Sequence, residues 1–272
     1  MVTCQRDHFE LHVGIAGTGR SLRAEQVWLP SPGIDAEPQR PTEYRQHRFK
    51  PPSGATELLF VRHGESQPLV PGQPFPLVDG HGDPALDPNG HEQARHLADR
   101  LGGRPIHAIY VTTLRRTHET AAPLAERLGL TPIVEPDLRE VHLGDWEGEL
   151  YRQRMAEGHP DALRMVAEQR WDALPGGETN EHLRTRVRAA VERIVAAHPD
   201  QRIVVVTHGG VIADIVAQAT QTPHPFMFLG VANASITHLV VAGPRWIVRR
   251  FNDTAHLPDD FDLDPTPAPL EA

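Results

Sequence analysis

Two stretches of the chain place a histidine and a glycine directly after a short apolar run. Leu58-Leu59-Phe60-Val61 leads into Arg62-His63-Gly64, and Ile203-Val204-Val205-Val206-Thr207 leads into His208-Gly209-Gly210. A short run of aliphatic residues reads as a strand buried on both faces, and ligands of open α/β sheets bind just beyond the carboxyl ends of such strands. If both strands lie in one sheet, the two histidines meet at one rim. An imidazole there can attack a phosphoryl group and hold it covalently, splitting one hard displacement into two easier ones. Arg62 offers the planar donor fork that suits phosphate. The glycines after His208 let backbone approach a ligand and open a helix whose N-terminus favours anions. A lone Arg-His dipeptide would read as a surface pair; the repetition of the layout raises it to a site.

Other residues extend the same chemistry. Arg115 and Arg116 follow Thr112-Thr113 at a strand-to-helix junction, where free N–H groups also favour an anion. Cleaving a phosphate ester requires a proton for the leaving oxygen, and a carboxyl group can supply it. Glu140 lies in a partly apolar stretch with Leu143 and Trp146, which could raise its pKa by desolvation. Asp145 and Glu147 are equal candidates on sequence alone. Metal chemistry is the weaker reading. His91 and His96 stand five apart, roughly 140° around a helix, so they cannot share one face.

Positioning these groups takes alternating strands and helices. After the first strand comes a long loop, Gln67 to Leu86, dense in Pro, Gly and Asp. Asp87 reads as an N-cap with Pro88 in the first turn, and Ala94, Leu97, Ala98 and Leu101 form one helical stripe stopped at Gly102-Gly103. His107 to Val111 is a strand. Thr113 is expected to cap the next helix, which should kink or restart at Pro123. Thr131 to Val134 is a short strand, Glu149 to Trp171 two short helices, and Thr179 to His198 a longer one. A helix follows Gly209, and Ser235 to Ala242 with Arg245 to Asn252 form a hairpin at Gly243-Pro244. This alternation implies an α/β fold, a mostly parallel sheet with helices on both faces in three αβα layers.

Residues 1–52 read as an N-terminal extension, with a hairpin between His8 and Leu29 and a proline-rich linker after it. Gly14 to Ser21 has phosphate-loop spacing, but Arg20 stands where lysine is required, so it reads as a glycine turn. The catalytic domain spans 53–256, and 257–272 reads as a disordered acidic tail. The formal charge of −9 argues against a nucleic-acid partner. Cys4 is the only cysteine, no apolar run reaches membrane-spanning length, and the first ten residues are polar; these point to a soluble, cytoplasmic protein without a membrane partner.

Taken as a set, the motifs resemble the histidine phosphatase superfamily, the phosphoglycerate mutase-like proteins. The matching pieces are Arg62-His63-Gly64-Glu65-Ser66, Leu86 to Ala94, Thr113 to Arg116 with Thr120-Ala121, Leu138-Arg139-Glu140 with Gly144 to Gly148, Pro175 to Glu178, and Thr207 to Gly210. The resemblance implies a phosphohistidine at His63 and a phosphate pocket of Arg62, Arg116, His208 and the Gly209 N–H. It also implies Glu140 as proton donor and Ser66 at the substrate. Arg116 is preferred to Arg115 because it stands four residues before Thr120-Ala121. No metal or organic cofactor is implied. The expected activity is hydrolysis of a small phosphomonoester. A phosphomutase and a non-catalytic phospholigand-binding protein are the alternatives. Leu69 stands where the mutases usually carry asparagine, which favours the phosphatase. Residues 1–52 could serve dimerisation or cover of the pocket.

Overall fold

The computed structural model describes residues 46–258. The hairpin and glycine turn expected between His8 and Leu29, the linker as far as Arg45, the dimerisation role given to this extension, and the tail beyond Pro258 lie outside the described residues.

The first strand, β1 (Thr56–Arg62), is followed by a two-residue hairpin within the long loop, β2 (Leu77–Val78) and β3 (His81–Gly82). Then come α1 (Pro88–Leu101), β4 (Ala108–Val111), α2 (Arg115–Leu128) and β5 (Ile133–Val134). Two short helices, α3 (Leu150–Ala156) and α4 (Pro160–Glu168), precede α5 (Asn180–Ala197). The chain closes with β6 (Arg202–Thr207), α6 (Gly209–Thr220) and the hairpin β7 (Ile236–Ala242) and β8 (Arg245–Asp253). The main sheet runs β5-β4-β6-β1-β7-β8, parallel from β5 to β1 and antiparallel at β7 and β8.

Strand pleating explains the three layers, because successive side chains point to opposite faces. Leu58 and Phe60 of β1, with Ile203 and Val205 of β6, pack against Leu183, Val187 and Val191 of α5 and Ile212 and Ile215 of α6. Leu59, Val61, Val204 and Val206 face the other way, onto Leu97 and Leu101 of α1 and Ala121 and Leu124 of α2. Both faces are covered, so the strands read as continuous apolar runs.

One local expectation is corrected and one, the kink or restart at Pro123, loses its second alternative. Thr113 does not cap α2: the cap position is Leu114, which makes no side-chain cap bond. Asp83 supplies the missing acceptor from the β3 side, taking the Arg115 N–H at 2.8 Å. A tertiary partner thus does what a local one was expected to do. Nor does the helix restart at Pro123, which lies inside one continuous α2. Asp87 does cap α1, its Oδ1 accepting from the Gly90 N–H at 2.7 Å.

Candidate active site

The parallel register of β1 and β6 pairs Glu57 with Arg202 and Arg62 with Thr207, so both strands end level. The pairing continues one step, since the His63 N–H donates to the Thr207 carbonyl at 2.9 Å. His63 and His208 therefore emerge side by side, with ring centroids 5.2 Å apart. Both side chains are buried.

The His63 ring is held in one tautomer. Nδ1 lies 2.8 Å from the Gly64 carbonyl, and a carbonyl only accepts, so Nδ1 carries the proton and Nε2 the lone pair. Burial, then the charges of Arg116 and Arg62, push its pKa well below the ordinary histidine value. The ring is neutral at physiological pH. The turn behind it is pinned three ways. The Gly64 N–H donates to Thr120 Oγ1 at 2.9 Å, Thr120 Oγ1 donates to the Arg116 carbonyl at 2.7 Å, and Asn233 Nδ2 donates to the His63 carbonyl at 2.9 Å.

His208 stands at the cap position of α6. Its Nε2 lies 3.0 Å from Thr112 Oγ1, while Nδ1 has no hydrogen-bond partner among the described residues. Burial, Arg116 and His63 lower its pKa well below the usual value. Arg62 donates to the Val231 carbonyl. Its side chain also lies along the start of α6: a Cβ added to Gly209 would stand 3.6 Å from Arg62 Nε. Arg62, His208 and the Gly209 backbone thus share one corner.

Arg116, in the first turn of α2, is buried and donates to the Gly82 carbonyl at 2.9 Å. Burial lowers its pKa to about 10, against the opposing pull of Glu140 and Asp83, which leaves it charged at neutral pH. Arg115 points to solvent and pairs with Glu119 at 3.0 Å. The two adjacent arginines are therefore separated by the helix face each occupies.

Glu140 is half-buried, and its carboxylate meets the first turn of α6. Oε1 accepts from the Val141 N–H at 2.9 Å and Oε2 from the Gly210 N–H at 3.4 Å. Its loop is stapled from behind by Arg186 of α5. That guanidinium donates to the carbonyls of Asp137, Arg139 and Glu140 at 2.7, 2.8 and 3.0 Å, and pairs with Glu178 at 2.7 Å. Burial would raise the Glu178 carboxyl, but the Arg186 hydrogen bonds and charge outweigh it and hold it below the ordinary value. The other two carboxylates are not equivalent to Glu140. Glu147 accepts from the Leu143 and Gly82 N–H groups, each at 2.8 Å, and Asp145 is exposed, whereas Glu140 is the one of the three bonded to the turn of α6 that follows His208.

Ser66 is buried, and its Oγ accepts from Arg152 Nη2 at 2.7 Å. Arg152, on α3, was not singled out from the sequence. Nor were Thr112, Arg186 and Asn233, which hold His208, the Glu140 loop and the His63 carbonyl. Thr120 and Glu178 belong to the motifs that carry the resemblance. Among the described residues no group of three or more His, Cys, Asp or Glu side chains could hold a metal ion. No helix among them is long and apolar enough to cross a membrane.

Comparison with known proteins points the same way. The family model described as histidine phosphatase superfamily (branch 1) matches residues 58–254. A metal-independent phosphoserine phosphatase of Arabidopsis thaliana is 34% identical over 210 residues, 75% of this chain and 84% of the relative. Phosphoglycerate mutase-like protein 4 of the same plant is 34% identical over 206 residues, 74% of this chain and 86% of that one. The native structure of mycobacterial glucosyl-3-phosphoglycerate phosphatase superposes with a TM-score of 0.62 at 33% identity. It covers 74% of this chain and 100% of that one.

Proposed function

Because this chain belongs to the histidine phosphatase superfamily and is a phosphoric monoester hydrolase of that family, we propose that it acts through a phosphohistidine at His63. His63 Nε2 attacks the phosphorus of a small phosphomonoester in line with the ester oxygen. The P–O bond to the alcohol breaks as the N–P bond forms. Glu140 gives its proton to the departing oxygen. Glu140, now a carboxylate, then takes a proton from water as the water oxygen attacks phosphorus and the N–P bond breaks. Phosphate leaves and the starting protonation is restored.

Charge on the transferring phosphoryl group is spread over its equatorial oxygens, and most of the catalytic work is positioning and electrostatic stabilisation. Arg62 and Arg116 supply two cations for that charge. The Gly209 N–H lies at the positive end of α6. His208, neutral in the free protein, offers Nδ1. A bound dianion beside it favours protonation, so the ring becomes a charged donor when phosphate is present. Ser66 borders the substrate from the loop side.

The observation that carries this reading is the level ending of β1 and β6. It sets the two imidazoles 5.2 Å apart, with Nδ1 of His63 tied to the Gly64 carbonyl and Nε2 left for attack. The test is a panel of phosphomonoesters assayed with wild type and with His63→Ala. Turnover should vanish in the variant while its circular dichroism stays native. Retained turnover rejects the mechanism, and conversion of 3-phosphoglycerate to its isomer with a bisphosphate primer would make the protein a mutase.

A further inference from the structure

The reaction as written needs His208 to donate from Nδ1 to the phosphoryl group, so something must keep a proton on that atom. The other ring nitrogen, Nε2, opens a short chain of hydroxyl groups. Thr112 Oγ1 lies 3.0 Å from Nε2, and Thr117 Oγ1 lies 3.2 Å from Thr112 Oγ1. His208, Thr112 and Thr117 are all 0% exposed, so the polar atoms of this chain must pair with one another.

The protons of this chain have one free choice. Thr117 Oγ1 accepts from the Thr112 N–H at 3.1 Å and gives its own proton to the Leu114 carbonyl at 2.8 Å, keeping one lone pair. Thr112 Oγ1 accepts from the Leu114 N–H at 3.3 Å, which leaves it one proton and one lone pair. If that proton goes to His208 Nε2, the ring is neutral and its own proton sits on Nδ1. If it swings to Thr117 Oγ1, the Thr112 lone pair takes an Nε2–H, and the ring can carry protons on both nitrogens. One rotation of one hydroxyl thus satisfies Nε2 in either charge state. A neutral ring with its proton on Nε2 would instead set a lone pair against the phosphoryl oxygens.

We propose that Thr112 is a positioning residue whose hydroxyl swivels between His208 and Thr117, keeping Nδ1 of His208 a donor to the phosphoryl group whether that ring is neutral or charged. The inference rests on the phosphate pocket proposed above and deepens it. Burial and neighbouring cations hold the free ring neutral, and a dianion at Nδ1 draws a second proton onto it, so anion binding should tighten as pH falls. The groups facing His208 are Arg116 of α2, His63 after β1, His81 of β3, Arg186 of α5, and Glu140 at the first turn of α6. A change at Thr112 leaves all of them in place, so the ratio of variant to wild-type affinity isolates the hydroxyl.

Sulfate is the probe, because it stays a dianion over the range of about pH 5 to pH 8 in which histidines change charge. Its dissociation constant is measured by calorimetry in wild type, Thr112→Val and Thr112→Ser. The ring nitrogens of His208 are followed by nitrogen NMR, with His208→Gln giving the assignment. In the wild-type sulfate complex Nδ1 should keep its proton at every pH, and any titration should appear at Nε2. Thr112→Val should weaken sulfate binding roughly tenfold near neutral pH, the worth of one hydrogen bond to a charged group. The loss should grow as pH falls, because the charged ring then buries an Nε2–H without an acceptor. Thr112→Ser should restore most of the affinity and its pH dependence. A loss in Thr112→Val that is equal at every pH overturns the inference, since Thr112 would then only hold the ring in place. So does an Nδ1 without its proton in the wild-type sulfate complex. A wild type that binds no sulfate removes the phosphate pocket and this inference together. Binding as expected with no turnover of any phosphomonoester removes the phosphatase reading and leaves the inference standing. If Thr112→Val fails to fold, the wild-type nitrogen spectra and the affinity of Thr112→Ser decide the matter.

Discussion

Replacing Gly90 by alanine should cripple a site in which Gly90 takes no chemical part. The residue sits in the first turn of α1, where its N–H meets the Asp87 side chain. A Cβ there would lie 2.0 Å from the Glu65 carbonyl oxygen and 3.0 Å from Glu65 N, a backbone that no rotamer change can move aside. Cβ atoms are essentially never found closer than 3.0 Å, so helix and turn must part by about 1 Å. The turn in question is the one that orients His63 through the Gly64 carbonyl, and Gly64 itself packs on Gly90, a Cβ there lying 2.6 Å from the Gly90 oxygen. A misplacement of that size costs about a hundredfold in rate. Overpacking adds a stability loss of about 1–3 kcal/mol. Helix propensity works in the opposite direction, since alanine is favoured over glycine by about 1 kcal/mol, so the steric term decides the sign. The assay is kcat on an aryl phosphate together with the thermal midpoint, which should fall by about 2–4 °C per kcal/mol for a domain of this size. Gly103→Ala is the control: it lies just beyond the same helix, and its Cβ would meet nothing within 4 Å. Wild-type kcat in Gly90→Ala would refute the claim that helix and turn are held in contact to aim the nucleophile.

Three further outcomes are expected. Arg186→Met leaves the buried Glu178 with only His182 and the His142 N–H as partners and releases the carbonyls of the Glu140 loop, so stability should drop by about 3 kcal/mol in urea unfolding, with kcat falling further than KM rises. Glu140→Gln should lower kcat strongly for alkyl phosphates and much less for p-nitrophenyl phosphate, whose leaving oxygen needs no proton; equal losses on both would remove Glu140 as the acid. Folding stability should be flat with respect to His63 and His208 above the unfolded histidine value of 6.5 and should fall as pH drops below it, because both rings stay neutral in the fold while the unfolded chain takes up protons. His81, His238 and His256 are shifted the same way and add to the slope. Urea titrations between pH 5 and pH 8 would check this, and a stability maximum on the acid side of that range would contradict it.

The parts of the fold legible in the sequence were those governed by local pattern. Apolar runs gave β1 and β6, the stripe Ala94, Leu97, Ala98 and Leu101 gave α1, and Asp87 and Pro88 gave its start. Arg62, His63 and His208 were legible because each sits where a buried strand must end. What escaped depends on contacts between distant segments. Asp83 caps α2 from 32 positions away, so Thr113 looked like the nearer answer. Arg186 secures carbonyls more than 40 positions upstream, and Arg152 reaches Ser66 across 86 positions, from a helix with no motif of its own. The small β2–β3 hairpin was hidden in a loop because two-residue strands carry no periodicity to detect.

Rapid quenching of wild type with a labelled phosphomonoester tests the central claim most directly. Phosphate should be recovered on the protein in a form stable to alkali and labile to acid, should map to the peptide containing His63, and should be absent from His63→Ala. Label on a hydroxyl-bearing residue, or undiminished labelling of the His63→Ala protein, would contradict it.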